Sequence, residues 1–169
     1  MNTRFPRRVF LLGGLAAFLS ACASKFRSYN GPEVTRLRVY KAQRLLVLDG
    51  AEDILRTYPI GLGFAPEGHK QFEGDGRTPE GSYAIDRRNP NSLFHLSIGI
   101  SYPNEADIAF AAAQGKSPGG DIFIHGGPRN GIDPMNKRDW TAGCISVSDQ
   151  QIEEIYAMVR DGTPIDIYA

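Results

Sequence analysis

Ile122-Phe123-Ile124-His125-Gly126-Gly127, a polar loop, and then Asp139-Trp140-Thr141-Ala142-Gly143-Cys144-Ile145-Ser146-Val147 is the stretch on which the reading of this chain turns. Ile122 to Ile124 is a short β-branched and aromatic run, the pattern of a buried strand, and it delivers His125 at its end. Gly126, Gly127 and Pro128 stop that strand. Ile145-Ser146-Val147 reads as a second strand that begins directly after Cys144. Two neighbouring strand ends of this kind bring an imidazole and a thiol together although the chain separates them. A free thiol has a pKa near ~8.5, so a histidine within reach is expected to take its proton and hold the pair as thiolate and imidazolium. The backbone amides of Gly143 and Cys144 are the expected oxyanion donors, because glycine lets an acyl oxygen come close. The competing reading makes Cys144 a small buried hydrophobe and His125 a satisfied core histidine.

These residues resemble the L,D-transpeptidases of the YkuD type, which act on peptidoglycan through a cysteine nucleophile. The matching pattern is Ile124-His125-Gly126 followed by Thr141-Ala142-Gly143-Cys144-Ile145, with Thr78-Pro79-Glu80-Gly81-Ser82-Tyr83 upstream resembling the family's Thr-Pro-x-Gly turn. The resemblance runs from about Thr35 to the C-terminus. It implies a mostly β, sandwich-like fold of mixed and antiparallel sheets with one or two short helices. It implies Cys144 as nucleophile, His125 as base and the Gly126 carbonyl as the group that orients the imidazole. Thr141, Ser146, Trp140 and Arg129 become candidates for gripping the stem peptide, and Arg138 is a further one. Ala142 stands where many members carry a second histidine and Ser146 where they carry Arg or Asn, which marks an atypical subgroup. A wider, less polar pocket beside the cysteine is the expected consequence.

The N-terminus reads as a targeting segment outside the fold. Arg4, Arg7 and Arg8 precede the apolar Val9 to Leu19, which is too short to span a bilayer. Leu19-Ser20-Ala21-Cys22 resembles the lipobox of bacterial lipoproteins, so Cys22 is the expected lipidation site, and Ala23 after it resembles sorting to the outer membrane. The expected organisation is a signal peptide over 1–21, a lipidated N-terminus and tether over 22–34, and a catalytic domain over 35–169. Export to a periplasm-facing membrane follows. There, with Cys22 carrying lipid, Cys144 is the one remaining thiol of the two cysteines, and a catalytic role explains an unpaired thiol in that compartment better than packing does.

Composition narrows the partners. The 169 residues suit one domain, and 19 basic residues against 19 acidic ones give no reason to expect nucleic acid. Three histidines and two cysteines show no His-x-x-x-His or Cys-x-x-Cys spacing, so neither a metal nor another cofactor is expected. The partners expected are peptidoglycan stem peptides and a membrane, and the protein is expected to be a monomer. A sortase-like arrangement would place an arginine soon after the cysteine, but the first one is Arg160. A cysteine hydrolase using the same dyad and a non-catalytic wall-binding lipoprotein are the alternatives.

The remaining pattern predicts an antiparallel meander over residues 37–60, a polar loop over 64–79 that is either a solvated surface or a wall-binding lip beside the site, and strands at 83–85, 93–98 and around Ile165 to Ile167. It predicts a helix capped by Asn104 and another capped by Ser148 and Gln151, closed by Gly162. His95 is expected to point away from the main core.

Overall fold

The computed structural model describes residues 24–128 and 138–169. The meander is there: β1 (Arg36–Tyr40), β2 (Leu45–Asp49) and β3 (Ile54–Pro59) pair antiparallel in sequence. Alternation along β1 sends Leu37 and Val39 into the core, both fully buried. The long strand β4 (Gly81–Asn89) is followed by β5 (Ser97–Ile100) and helix α1 (Glu105–Ala113). Then come β6 (Phe123–His125), β7 (Ile145–Ser146), helix α2 (Asp149–Met158) and β8 (Pro164–Tyr168).

The eight strands form one curled sheet in the order β3-β2-β1-β8-β4-β5-β6-β7. The expected mostly β architecture with two short helices is therefore present. Its curl centres on β4. Gly81 to Ala84 pair with β8, Ile85 to Asn89 pair with β5, and the register slips between Ile85 and Arg87. Such an irregularity bends a strand and raises its twist, so β4 serves both halves of the sheet. One pairing has no local signature: β8 returns from the C-terminus to lie parallel to β1.

Both helices begin with reciprocal capping boxes. Asn104 accepts from Ala106 and Asp107 while Asp107 returns a bond to the cap backbone, and Ser148 with Gln151 does the same for α2. Helix α2 buries Ile152, Ile155 and Met158 against the sheet. It stops at Val159 rather than at Gly162, whose positive φ of 89° turns the chain into β8. No helix among the described residues is long and apolar enough to cross a membrane.

Two expectations change. The strand expected over 93–98 begins only at Ser97. His95 takes a positive φ of 74° and the Leu96 amide bonds back to the Phe94 carbonyl, so this alternating segment is a turn. The stretch expected as a tether, over its described part, lies against the domain. Lys25 Nζ donates to the carbonyls of Pro90 and His95, Arg27 pairs with Glu153 on α2, and Tyr29 packs on the core.

Candidate active site

His125 ends β6 with β5 on one side and β7 on the other, opposite Ser97 and Ser146 in register. Cys144 immediately precedes β7, and that strand's parallel pairing with β6, Ile145 opposite Ile124 and Ser146 opposite His125, sets Cys144 level with Phe123 at the start of β6, two residues before His125. Cys144 and His125 both line a cavity of about 250 Å³ whose other walls include Leu93, Phe94 and Phe123.

The imidazole is held on three sides. Its Nδ1 lies 2.7 Å from the Gly126 carbonyl oxygen. A carbonyl only accepts, so Nδ1 carries the hydrogen and Nε2 keeps the lone pair. Phe94 stacks on the ring at 4.4 Å between centroids, and Trp140 meets it edge-on at 5.6 Å. Gly126 must be glycine because a Cβ there would lie 2.7 Å from the Phe94 carbonyl. Burial pushes the His125 pKa below the ordinary imidazole value, and the bond to Gly126 only partly offsets this.

At rest the Cys144 sulfur accepts from the Phe123 amide at 3.4 Å and donates towards the Asp121 carbonyl at 3.5 Å. Burial raises the thiol pKa. The Phe123 amide opposes that rise, as do the cations Lys70 and Arg87 more weakly. With histidine shifted down and cysteine shifted up, burial favours a thiol and a neutral imidazole over the expected ion pair. Alkylation of Cys144 by iodoacetamide should therefore climb with pH through a midpoint above the ordinary value of about 8.5. The rate is read on the Cys144 peptide by mass spectrometry, and a plateau already reached near pH 6 would mean a resting thiolate.

The turn before the cysteine corrects the expected oxyanion donors. Gly143 has φ of 134°, and its amide donates to Thr141 Oγ1 at 3.1 Å, inside the turn. The same hydroxyl donates to the Cys144 carbonyl at 2.6 Å. The Gly143 N–H is thus already used, while the Cys144 amide has no acceptor among the described residues. A side chain at Gly143 would meet the Arg77 carbonyl at 2.7 Å. Arg77 directly precedes the Thr78-Pro79-Glu80-Gly81 turn, whose Thr78 hydroxyl accepts from the Gly63 amide at 3.1 Å. The two segments quoted from the sequence meet here, packed back to back.

Several substrate-gripping candidates turn out to be structural. Thr141 is buried and closes the turn just described. Ser146 is buried behind the dyad, exchanging backbone hydrogen bonds with Gly61 at 2.9 Å each way, and lines neither cavity at Cys144. A Cβ on Gly61 would meet Ser146 Oγ at 2.6 Å, so the Ser146 hydroxyl lies against the Gly61 backbone. Trp140 braces His125. Arg138 spends its guanidinium on the carbonyls of Ile60 and Arg44. Arg129 and Cys22 lie outside the described residues. His95 pairs through Nε2 with Glu153 at 2.7 Å and lines neither cavity at Cys144.

Other residues escaped sequence reasoning. A second cavity of about 240 Å³ opens on the far side of Cys144, lined by Lys70, Glu73, Asp121 and Ala142 among others. Ala142 does leave space there, but the charged neighbours make the wall more polar than its small side chain suggested. Lys70 is buried and held by the Phe72 carbonyl and Asp75. Its segment over 64–79, expected as a loop that is either a solvated surface or a lip beside the site, thereby borders the cavity at Cys144. Phe94 was hidden inside an apparent strand. No group of three or more His, Cys, Asp or Glu suited to a metal ion occurs among the described residues.

Comparison with known proteins agrees with this geometry. Residues 35–167 match the model of the YkuD L,D-transpeptidase catalytic domain, and the chain belongs to that family. Over 129 residues it is 30% identical to the protein of Escherichia coli K12 named "Putative L,D-transpeptidase YafK", a match that covers 73% of this chain and 46% of YafK. Among solved structures it resembles Pgp2 of Campylobacter jejuni, described as a helical cell shape determining protein. The TM-score is 0.62 at 26% identity, over 82% of this chain and 49% of Pgp2. An L,D-transpeptidase from Mycobacterium smegmatis shares the fold, with a TM-score of 0.54 at 16% identity, over 82% of this chain and 60% of that one. The chain thus spans about half the length of YafK and of Pgp2.

Proposed function

We propose that this protein is a peptidoglycan L,D-transpeptidase that transfers a stem peptide through a thioester on Cys144. The observation that carries the reading is the His125 ring, fixed by Gly126 so that Nε2 is the proton acceptor, lining one cavity with an unpaired thiol. In the first step Nε2 takes the Sγ proton as sulfur attacks the carbonyl between an L-centre and the terminal D-residue. The Cys144 amide stabilises the oxyanion. Collapse forms the thioester and expels the D-residue as an amine, which takes the proton from His125. An amine from a second stem then attacks the thioester, loses its proton to Nε2, and the thiol is regenerated. The second cavity, with Glu73 and Asp121 on its wall, suits the approach of a cationic amine.

Hydrolysis by the same dyad is the second reading, favoured by Ala142. An alanine at the second cavity gives no side-chain hydrogen bond to hold an acceptor, and water then reaches the thioester. Incubation with purified tetrapeptide-stem muropeptides, followed by mass spectrometry, separates the readings. Cross-linked dimers support transfer, a shortened monomer supports hydrolysis, and an unchanged pool leaves only a wall-binding role. Remodelling of either kind fits a contribution to cell shape, the role in the description of Pgp2.

The proposed setting is the periplasmic side of the outer membrane, with Cys22 lipidated. Its support is the Leu19-Ser20-Ala21-Cys22 motif behind a basic and apolar leader. Cys22→Ser should leave an unprocessed precursor and empty the lipid-anchored pool on membrane fractionation. Recovery of that variant as a matured soluble protein would show an ordinary signal peptide.

A further inference from the structure

We propose that the segment from Lys25 to Tyr29 is a positioning strap for the active site, in which Lys25 fixes the loop that presses Phe94 onto His125. The proposal rests on the reading of His125 as the catalytic base. Lys25 Nζ bridges two points of that loop, donating to the Pro90 carbonyl at 2.5 Å and the His95 carbonyl at 3.2 Å. Phe94 sits between those anchor points, and its own carbonyl accepts from the Gly126 amide at 3.0 Å. One loop therefore supplies both the ring that stacks on His125 and a bond to the residue that orients its Nδ1.

The loop needs such support. It belongs to no strand, His95 holds a positive φ, and Leu93 beside Phe94 is 86% exposed. The strap also grips α2. Arg27 donates to Glu153 at 2.9 and 2.8 Å, and Phe26 packs on Tyr156 with centroids 6.2 Å apart. Glu153 in turn holds His95 Nε2 at 2.7 Å, so the strap, the helix and the loop close into one ring of contacts. Each such surface contact is weak alone. Together they act on a single loop, and Lys25 is the residue that touches it directly.

Trp140 provides a readout independent of turnover. It is the single tryptophan of the chain and lies 5.6 Å from both the His125 and the Phe94 rings. The experiment compares wild type with Lys25→Met, Lys25→Arg and Arg160→Met in the full chain. Arg160 pairs with Glu33 on the same N-terminal stretch but away from the loop, at 3.3 Å between largely exposed side chains. In Lys25→Met the Trp140 emission should shift to the red and quench more readily with acrylamide, and kcat on stem peptides should fall about tenfold with KM little changed. Lys25→Arg keeps enough donors for both carbonyls and should restore emission and kcat, while Arg160→Met should behave as wild type. Wild-type emission and kcat in Lys25→Met would overturn the proposal. A lowered melting temperature with unaltered emission would also overturn it, because the segment then only adds packing. If Lys25→Met alters the emission while no variant, wild type included, turns over stem peptides, the strap stands and the assigned reaction fails.

Discussion

Replacement of Cys144 by alanine is expected to reduce turnover of stem peptides to background while the folded domain persists. The sulfur makes only two long contacts, with the Phe123 amide and the Asp121 carbonyl, and the residue lines open cavities on both sides. Its removal therefore leaves no collapsed core and no charge without a partner. The turn that presents it is held by the Thr141 hydroxyl on backbone atoms, none of which depends on the thiol. The chemical loss is complete because no other described residue offers a thiol. Losing the nucleophile in a comparable acyl-transfer site costs on the order of a million-fold. The measurement is product formation by mass spectrometry beside a denaturant unfolding curve. Wild-type product from Cys144→Ala would end the thioester mechanism, whereas an altered unfolding midpoint alone would not test it.

His125→Ala is expected to lose roughly 100–10,000-fold in kcat/KM, the range for a positioned general base. Because burial disfavours the charged form of both groups, the proposed reaction needs Nε2 to accept the proton during attack. The loss should shrink as pH approaches the raised thiol pKa, where solution hydroxide makes the thiolate. In wild type the acid limb of the rate profile should fall below about 6.5, the ordinary imidazole value, because burial holds His125 lower. The same shift enters stability. As pH falls through about 6.5 the unfolded chain binds a proton that the folded ring refuses, so the unfolded state binds more protons and stability drops. That contribution is present above the unfolded value and is lost towards the lower folded one. His125→Ala should lack this part of the acid dependence, as unfolding curves at several pH values would reveal. An acid limb at or above 6.5 would contradict the assignment of that limb to His125.

Where local chemistry decides a structure, the residues announced it. The β-branched runs around His125 and Cys144 gave two strands, and Asn104 and Ser148 gave two capped helices, because alternation and capping act over a few residues. The parallel pairing of β1 with β8 was not legible, since it joins the two ends of the chain and depends on the whole sheet closing. Leu93 to Leu96 alternates as a strand would, yet it turns, because Phe94 finds a better surface on His125 than a ladder offers. Side-chain direction was the other limit. Thr141, Gly143 and Ser146 all lie beside the nucleophile in sequence, but a tight turn uses the polar groups of the first two and strand β7 buries the third. A motif tells which residues are near the reacting atom and is silent on which of them face it.

The docked N-terminal stretch also sets a length scale. With Cys22 lipidated as proposed, two residues, Ala23 and Ser24, lie between it and Lys25, which makes three residue steps, and an extended chain spans at most about 3.6 Å per step. The leash is then no longer than about 11 Å, and its far end is fastened to the rim of the catalytic cleft. An enzyme so moored cannot sweep through the depth of the wall. It works at one height, on those stems that come down to the lipid surface, and lengthening the leash by inserted residues would change which layer of the wall it reaches without altering its chemistry.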